Sequence, residues 1–269
     1  MGKVIGIMSL KGGVGKTSLV SSLGTALASF GKDVLLVDAN FSAPNLGIHF
    51  NLIEPETTLH DVMARDQNIS DAIYAVGALD VIPAAIFSNK KLSPLRLKEH
   101  IRPLKKKYDF ILLDSPPSLE EDGLATLYAA DELFFVSTPD HSTLSNTIKS
   151  VNRSNERGTV INGIILNKVH DKDFELTLEQ IEDTTNVPIM AVIPHDIDVK
   201  EAQANFKSFV EHNPKSKGTR EVMKLAATLT GEEYKNEPTG FNLIKKFLQI
   251  KPKKQEVNRE VLYERIFGE

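Results

Sequence analysis

The 269-residue chain contains no cysteine. Disulfides, thiolate zinc sites and iron–sulfur clusters ligated by its own side chains are therefore excluded, which fits a reducing compartment. No apolar run is long enough to span a bilayer, and residues 1–9 lack the pattern of a secretory signal. The net charge is only −4, so any attraction to nucleic acid or to a membrane must come from a local patch.

Short apolar segments alternate with longer amphipathic segments, and hydrophobic residues make up 41% of the chain. Seven apolar segments show little alternation, which is typical of strands covered on both faces. They begin at Lys3, Asp33, Leu79, Asp109, Glu132, Ile161 and Ile189. Helical patterns lie between them, for example over residues 16–31 and 93–107. This order predicts an α/β fold with a mostly parallel twisted sheet and helices on both faces.

The segment "GIMSLKGGVGKTSLV" joins the first strand pattern to the first helix pattern. Its glycines allow backbone N–H groups to approach a phosphate at the N-terminus of the helix. The usual phosphate-loop pattern is G-x-x-x-x-G-K-[ST], but Leu10 replaces its first glycine and Lys11 follows. Lys16 can reach the phosphates, and the Thr17 hydroxyl can ligate Mg²⁺. The predicted nucleotide-binding residues here are Lys11, Gly12, Gly13, Val14, Gly15, Lys16, Thr17 and Ser18.

The run "KGGVGKT" resembles the deviant Walker A motif of the MinD/ParA family of ATPases. The resemblance covers about residues 1–230 and implies a P-loop ATPase domain with ATP and Mg²⁺ as cofactors. It also implies a homodimer in the ATP-bound state, in which Lys11 reaches the phosphates held by the other subunit. A cation supplied in this way would make hydrolysis depend on dimerisation. The alternative is that Lys11 is a solvated loop lysine.

Two aspartates, Asp38 and Asp114, end buried strand patterns. Such carboxylates are unfavourable unless they are paired or close to a metal, and the resemblance assigns both, with Thr17, to the Mg²⁺ site. The family's second switch aspartate corresponds to Asn40, whose amide can orient water but cannot accept a proton. Slow ATP hydrolysis is therefore expected, unless Asn40 only caps a turn. The catalytic candidates are Lys11, Lys16, Asn40 and Asp114.

The later segments "IILNKV" and "VIPHD" complete the predicted nucleotide site. By the resemblance, the Asn167 amide reads the adenine edge, because an amide can both donate and accept a hydrogen bond. His170 stands where guanine-selective relatives carry an aspartate, which favours ATP over GTP. Pro194 and Asp196 belong to the loop that packs against the base in the family.

A polar linker at residues 231–240 precedes an amphipathic helical pattern at residues 241–254. Five lysines and no acid accompany its apolar half, a combination typical of a helix that binds an anionic membrane surface. The residues assigned to membrane contact are Phe241, Leu243, Ile244, Lys245, Lys246, Phe247, Leu248 and Ile250. The MinD branch carries a similar targeting helix, which implies a cytoplasmic protein peripheral on the inner face of the cell membrane. The alternative is a helix docked on the protein's own core or on a partner.

Residues 255–269 extend beyond this pattern and have no defined role. A partner-binding segment, a second helix packed on the domain and a disordered stretch all remain open. The predicted function is a MinD-like, ATP-switched positioning protein with an unidentified protein activator or cargo. The alternative is a ParA-type partition ATPase that binds nonspecific DNA, since residues 89–107 contain eight basic residues and one acid. An iron–sulfur reductase of the same superfamily is excluded by the missing cysteines.

Overall fold

The computed structural model describes residues 2–64, 67–90, 92–234 and 252–268. The strands are β1 (Lys3–Met8), β2 (Val34–Asp38), β3 (Tyr74–Val76), β4 (Leu79–Ile82), β5 (Phe110–Asp114), β6 (Glu132–Ser137), β7 (Val160–Val169) and β8 (Ile189–Pro194). They form one sheet in the order β3-β4-β2-β5-β1-β6-β7-β8. Every neighbouring pair is parallel except β3 and β4. The predicted α/β fold and all seven predicted strands are confirmed.

The additional strand β3 was not predicted. It has only three residues, and they are exposed or half-buried, so its hydrophobic signal is weak. A two-residue turn joins β3 to β4, and Gly77 opens that turn with a φ of +60°. Hairpin turns of this length favour glycine at such a position. The antiparallel pairing of β3 with β4 follows from this tight connection.

The helices are α1 (Lys16–Ser29), α2 (Leu46–His49), α3 (Leu59–Met63), α4 (Leu97–Ile101), α5 (Glu121–Ala129), α6 (His141–Asn155), α7 (Leu178–Thr185), α8 (Asp198–Ala204), α9 (Phe209–His212), α10 (Lys217–Thr230) and α11 (Lys254–Phe267). The helix predicted over residues 93–107 is instead the short α4 between two 3₁₀ turns, Pro94–Arg96 and Arg102–Lys106. Pro103 lacks the N–H group that a continuous helix needs at this point. Across the described ranges, every helix is too short or too polar to cross a membrane.

Side chains of alternate residues in the central strands enter different apolar layers. Leu36 packs in the layer that contains α1 and α10, whereas Leu35 and Val37 pack in the layer that contains α4 and α5. Both faces of the sheet are therefore covered, which explains the near-continuous apolar sequence of its strands. The connections that follow β1, β2 and β5 emerge together at the carboxyl ends of these strands.

The chain after the sheet has two described parts. Helix α10 ends at Thr230, and Gly231 follows it in the left-handed conformation (φ +77°), a common helix terminator. The predicted membrane-contact residues 241–250 lie outside the described residues. Lys254, predicted to end the targeting segment, instead begins α11. Of the three possibilities for residues 255–269, the structure shows a helix packed on the domain, against β8 and α10.

Candidate nucleotide site

The glycine-rich loop between β1 and α1 has the geometry of an anion-binding turn. Gly13 and Gly15 have φ values of +76° and +95°, a conformation that is strained for other residues. Gly15 precedes α1 and provides no side chain to cap it. The first N–H groups of α1 can therefore bind a phosphate, supported by the positive end of the helix dipole.

Two carboxylates lie side by side at the carboxyl-end edge of the sheet. β2 pairs with β5 in a register that sets Asp38 opposite Asp114, and both residues are buried. Burial raises the pKa of Asp38, and the charge of Asp114 raises it further. Burial also raises the pKa of Asp114, while a hydrogen bond from Thr17 and the charge of Lys16 act in the opposite direction. The pair therefore favours either a proton or a bound cation.

The arrangement around Asp114 fits a hard divalent cation. The Thr17 hydroxyl donates a hydrogen bond of 2.6 Å to Asp114 Oδ2, whereas Asp114 Oδ1 is buried and has no partner among the described residues. Lys16 is also buried at this site, and burial lowers the pKa of its ammonium group, partly offset by the charge of Asp114. Carboxylate and hydroxyl oxygens are suitable Mg²⁺ ligands. The structure thus brings together the three predicted metal-binding residues.

Asp38 also organises the loop that follows β2. Its carboxylate accepts hydrogen bonds from the N–H groups of Asn40 (3.2 Å), Asn45 (3.0 Å) and Leu46 (2.9 Å). The Asn40 side chain in turn bonds to both backbone groups of Ala43, donating over 2.5 Å and accepting over 3.2 Å. In this structure Asn40 therefore caps its own turn, the alternative that its sequence position left open.

Lys11 is held by its own subunit and is not a freely solvated loop lysine. Its Nζ lies 3.2 Å from Asp140 Oδ1 and 2.9 Å from Thr143 Oγ1. Partial burial would raise the pKa of Asp140, but hydrogen bonds from Thr138, Thr143 and Lys11 keep that pKa well below its usual range. Asp140 caps the N-terminus of α6 by accepting the Thr143 N–H.

The sequence interpretation missed Asp140 and Thr143. An aspartate after a strand pattern, followed by a helical pattern, is a recognisable capping signal. That signal locates the start of α6. It does not reveal the contact with Lys11, which depends on β6 lying beside β1 in the sheet.

The end of β7 closes over the glycine-rich loop. Asn167 Nδ2 donates to the Val14 carbonyl over 2.8 Å, and Lys168 Nζ donates to the Gly13 carbonyl over 2.6 Å. A Cβ atom on Gly15 would lie 2.3 Å from Asn167 Nδ2, so this approach requires a glycine. The predicted base-reading residue is therefore beside the phosphate loop.

The predicted base loop after β8 lies next to the end of β7. Pro194 pairs with Val169, and the His195 N–H donates to the Val169 carbonyl. Asp196 accepts a hydrogen bond of 3.0 Å from the backbone of Asp198. The His195 ring also stacks on His170 at 4.6 Å between centroids. The structure thus brings Pro194 and Asp196 to the side of the site where Asn167 lies.

The Ser18 side chain points to a different partner. It is buried, and its hydroxyl accepts a hydrogen bond of 2.6 Å from Gln203 on α8. This hydroxyl therefore joins α1 to α8, and only the backbone of Ser18 belongs with the phosphate loop. The predicted role of Ser18 in nucleotide binding is therefore limited to its backbone.

Two family profiles match the chain. A profile described as an AAA domain matches residues 2–162, and a profile described as 4Fe-4S iron sulfur cluster binding proteins of the NifH/frxC family matches residues 100–249. Because the chain has no cysteine, the cluster ligands of the second family have no counterpart here.

The chain is also similar to curated proteins and to solved structures. It is 34% identical over 238 residues to an uncharacterized ATP-binding protein of Methanocaldococcus jannaschii, covering 87% of this chain and 90% of that protein. It is 30% identical over 254 residues to the chromosome partitioning protein ParA of Caulobacter vibrioides, covering 86% of this chain and 95% of that protein.

Two solved structures share the fold over most of their length. The cell division ATPase MinD of Pyrococcus furiosus is 36% identical with a TM-score of 0.82, covering 86% of this chain and 99% of that one. The septum site-determining protein MinD of Pyrococcus horikoshii OT3, solved with Mg-ADP, is 34% identical with a TM-score of 0.81. The match covers 85% of this chain and 96% of that one. Both structures therefore share the fold that carries the glycine-rich loop and the paired aspartates in this chain. The chain belongs to the MinD/ParA family of P-loop ATPases.

Proposed function

We propose that the chain is a MinD-like positioning protein switched by ATP. Its cofactors are ATP and Mg²⁺, and it hydrolyses ATP slowly. The observation that carries this proposal is the buried pair Asp38 and Asp114, beside Lys16 and Thr17 at the start of α1. The ATP-binding relative and the MinD structure with Mg-ADP support the assignment of the ligand.

Each part of the site has a separate role in binding and hydrolysis. The glycine-rich loop binds the phosphates through its N–H groups, and Lys16 neutralises their charge. Thr17 and Asp114 would hold Mg²⁺, with Asp38 behind them, and bound Mg²⁺ neutralises charge on the reacting phosphate. Asn40 would orient the attacking water once its amide leaves Ala43. Because an amide cannot accept a proton, hydrolysis is slow.

The ATP-bound form is a homodimer in which Lys11 crosses to the nucleotide of the other subunit. This role requires Lys11 to leave Asp140 and Thr143. The side chains of Lys11 and Asp140 are 38% and 44% exposed, and ion pairs of this exposure contribute only about 0–1 kcal/mol. The exchange from the contact within one subunit to the contact between subunits is therefore energetically small.

Membrane attachment is assigned to residues 241–250 on their sequence pattern. Each lysine near an anionic leaflet contributes at most about 1 kcal/mol, and binding also costs the ordering entropy of the segment, so one copy binds marginally. Two copies on a dimer gain avidity of up to about 10²–10⁴. ATP-driven dimerisation would thereby control attachment to the inner face of the cell membrane, where a protein activator or cargo is engaged.

DNA binding of the ParA type is the second candidate, favoured by the ParA relative. The basic run over residues 89–107 is the local feature that supports it. Four ion pairs neutralise much of this run, namely Lys90–Asp61, Arg96–Glu99, Lys105–Asp131 and Lys107–Asp80. Paired lysines offer less charge to a phosphate backbone than free ones, so the MinD-like function is favoured.

Co-sedimentation with anionic liposomes and with nonspecific DNA tests the two candidates. Each is performed with ADP and with a non-hydrolysable ATP analogue, on the parent and on three variants. The variants are Lys11→Ala, Lys16→Ala and, as a control outside the basic run, the exposed Lys215→Ala. We expect ATP-dependent binding to liposomes for the parent and the control. Lys16→Ala should lower ATP turnover by about 10³-fold, whereas Lys11→Ala should still bind ATP but remain monomeric. ATP-dependent pelleting with DNA alone would replace the MinD-like proposal with the ParA-type function.

A further inference from the structure

The turn after β2 is held at its centre by a histidine from α3. Hydrogen bonds between Asn40 and Ala43 close this turn, so Phe41 and Ser42 are its two central residues. The Phe41 carbonyl lies 3.2 Å from Nε2 of His60, and the two rings pack edge to face with their centroids 5.6 Å apart. Both side chains are buried. The contact therefore fixes the residue that directly follows Asn40.

The second ring nitrogen determines the form of the His60 side chain. Nδ1 accepts a hydrogen bond of 3.0 Å from the Ala85 N–H, in the loop after β4. A backbone N–H can only donate, so Nδ1 carries no proton and Nε2 carries the proton that it donates to the Phe41 carbonyl. The ring is therefore neutral, which agrees with the lowering of its pKa by burial. One side chain thus joins the loop after β2 to the loop after β4.

The loop after β4 is also attached to α3 by the residues on either side of His60. The N–H of Leu59 donates to the Pro83 carbonyl over 2.8 Å, and Asp61 pairs with Lys90 at 2.8 Å. This loop leaves the sheet beside the loop after β2, because β4 and β2 are neighbouring strands. Helix α3 therefore gives His60 a fixed position from which its ring reaches both loops.

The contact on the other side of the turn is weaker. The Ser42 hydroxyl donates to Asp122 Oδ2 over 2.6 Å, but Ser42 is exposed, so water can replace either partner. The Phe41 carbonyl meets the buried ring of His60 instead, and a buried carbonyl that loses its donor has no water to replace it. His60 is therefore the main anchor of the turn.

We infer that His60 is a positioning residue for ATP hydrolysis, because it keeps Phe41 in place while the Asn40 amide turns toward the attacking water. The inference rests on the proposed role of Asn40. Without the anchor the whole turn would move with its amide, and a misplacement of about 1 Å can slow a reaction about 10²-fold. Nucleotide binding uses the glycine-rich loop instead. The loss of His60 should therefore lower kcat and leave the KM for ATP unchanged.

Substitution of His60 tests this role. At a temperature where the variant is folded, His60→Ala should lower kcat about tenfold to 10²-fold, with a KM for ATP within about twofold of the parent. His60→Gln keeps one donor and one acceptor in the side chain and should restore most of the lost kcat. The matched control is His212→Ala, whose ring lies 3.7 Å from Glu201 on α8, and its kcat should equal that of the parent.

A double variant tests whether His60 acts through Asn40. In an Asn40→Ala background, His60→Ala should lower kcat little further, because residues that act through one another are not additive. An equal further loss in that background would overturn the inference, and so would a His60→Gln variant as slow as His60→Ala. ATP turnover that His60→Ala leaves unchanged would overturn the inference alone. A parent without ATP turnover would contradict the proposed function itself.

Nitrogen NMR of the imidazole rings tests the anchor without turnover. The His60 signals are assigned by their loss in His60→Gln. They should show a neutral ring protonated at Nε2 at neutral pH, and this form should persist when Mg²⁺ and a non-hydrolysable ATP analogue bind. A ring protonated at Nδ1, or one that changes its tautomer with the analogue, would show that His60 does not hold the turn during hydrolysis.

Discussion

Charged side chains are buried at both ends of the strands, which are called here the carboxyl-end and amino-end edges of the sheet. The buried pair at the first edge consists of like charges, and the buried pair at the second consists of opposite charges. At the carboxyl-end edge, Asp38 and Asp114 are buried side by side with Lys16 as the nearby cation. At the amino-end edge, the buried Arg259 meets Glu221 and a backbone carbonyl. Apart from Arg259 Nη2, which is buried without a partner among the described residues, the second group is complete without a ligand.

Like charges buried together indicate a binding site, whereas a buried pair of opposite charges indicates a structural contact. Like charges in a dry environment raise each other's pKa and destabilise the free protein, so a cation that binds between them stabilises the fold. An opposite-charge pair at the other edge gains nothing from a nucleotide or a metal. The stability of the nucleotide edge should therefore depend on a bound ligand, whereas the stability of the α11 edge should not.

The largest expected effect is the loss of the α11 contact in Arg259→Ala. This change leaves Glu221 with its longer contact of 3.9 Å to Lys224, and removing one partner of a buried ion pair costs about 3–5 kcal/mol. The matched control Arg153→Ala removes an exposed pair with Glu156 and should cost less than about 1 kcal/mol. Urea unfolding gives both values. ATP turnover by folded Arg259→Ala should equal that of the parent, and a stability loss below that of the control would show that the two edges do not differ as described.

A smaller effect is expected from pH at the nucleotide edge. Because the pKa values of Asp38 and Asp114 are raised, the native state binds more protons than the unfolded state above the usual carboxyl pKa. The free energy of unfolding of the metal-free protein should therefore fall as pH rises from about 4 toward 8. Mg²⁺ replaces those protons, so its stabilising effect should grow with pH by at least about 1.4 kcal/mol, the equivalent of one pKa unit.

The buried His60 and the half-buried His49 contribute a slope of opposite sign. Burial lowers the pKa of His49 and His60, so their contribution to stability is lost as pH falls. The quantity to measure is therefore the difference between unfolding with Mg²⁺ and with EDTA, at pH 5 and at pH 8. Asp114→Asn should remove this difference. A Mg²⁺ effect of equal size at both pH values would contradict a cation site at the paired aspartates.

The smallest effect is expected for Asp140→Asn, which weakens the hold on Lys11 within its own subunit. Because the pair is exposed, its loss should tighten the ATP-bound dimer by only about twofold to fivefold, equivalent to less than 1 kcal/mol. Analytical ultracentrifugation with a non-hydrolysable ATP analogue measures the change, with exposed Asp173→Asn as the control. A weaker dimer would mean that Asp140 itself contributes to the dimer contact.

The elements that the sequence predicted correctly are those with local signals. The strand before the glycine-rich loop and the helix after it follow from the apolar pattern and from glycines at positions that require positive φ. The sequence analysis missed two features whose local signals are weak. Strand β3 is too short and too exposed to show a pattern, and the helix break at Pro103 is marked by one proline within an otherwise helical composition.

The site was predicted residue by residue but not as an arrangement. Asp38 and Asp114 each end an apolar run, so their burial could be inferred from sequence alone. Their adjacency could not, because 75 residues separate them and only the strand order places β2 beside β5. The same holds for Lys11 and Asp140, which meet because β1 lies beside β6.

The sequence by itself determined that this chain is a P-loop protein, because a phosphate-binding turn is encoded within a few consecutive residues. Only the tertiary structure decided which of its charged side chains lie next to one another. Helix α11 buries few of its apolar side chains, Leu262 being the fully buried one, and its position depends on acids in α7 and α10 that lie 38–76 residues away along the chain. A pairing between distant charges leaves no periodic trace in the sequence, since each partner taken alone resembles an ordinary solvated residue.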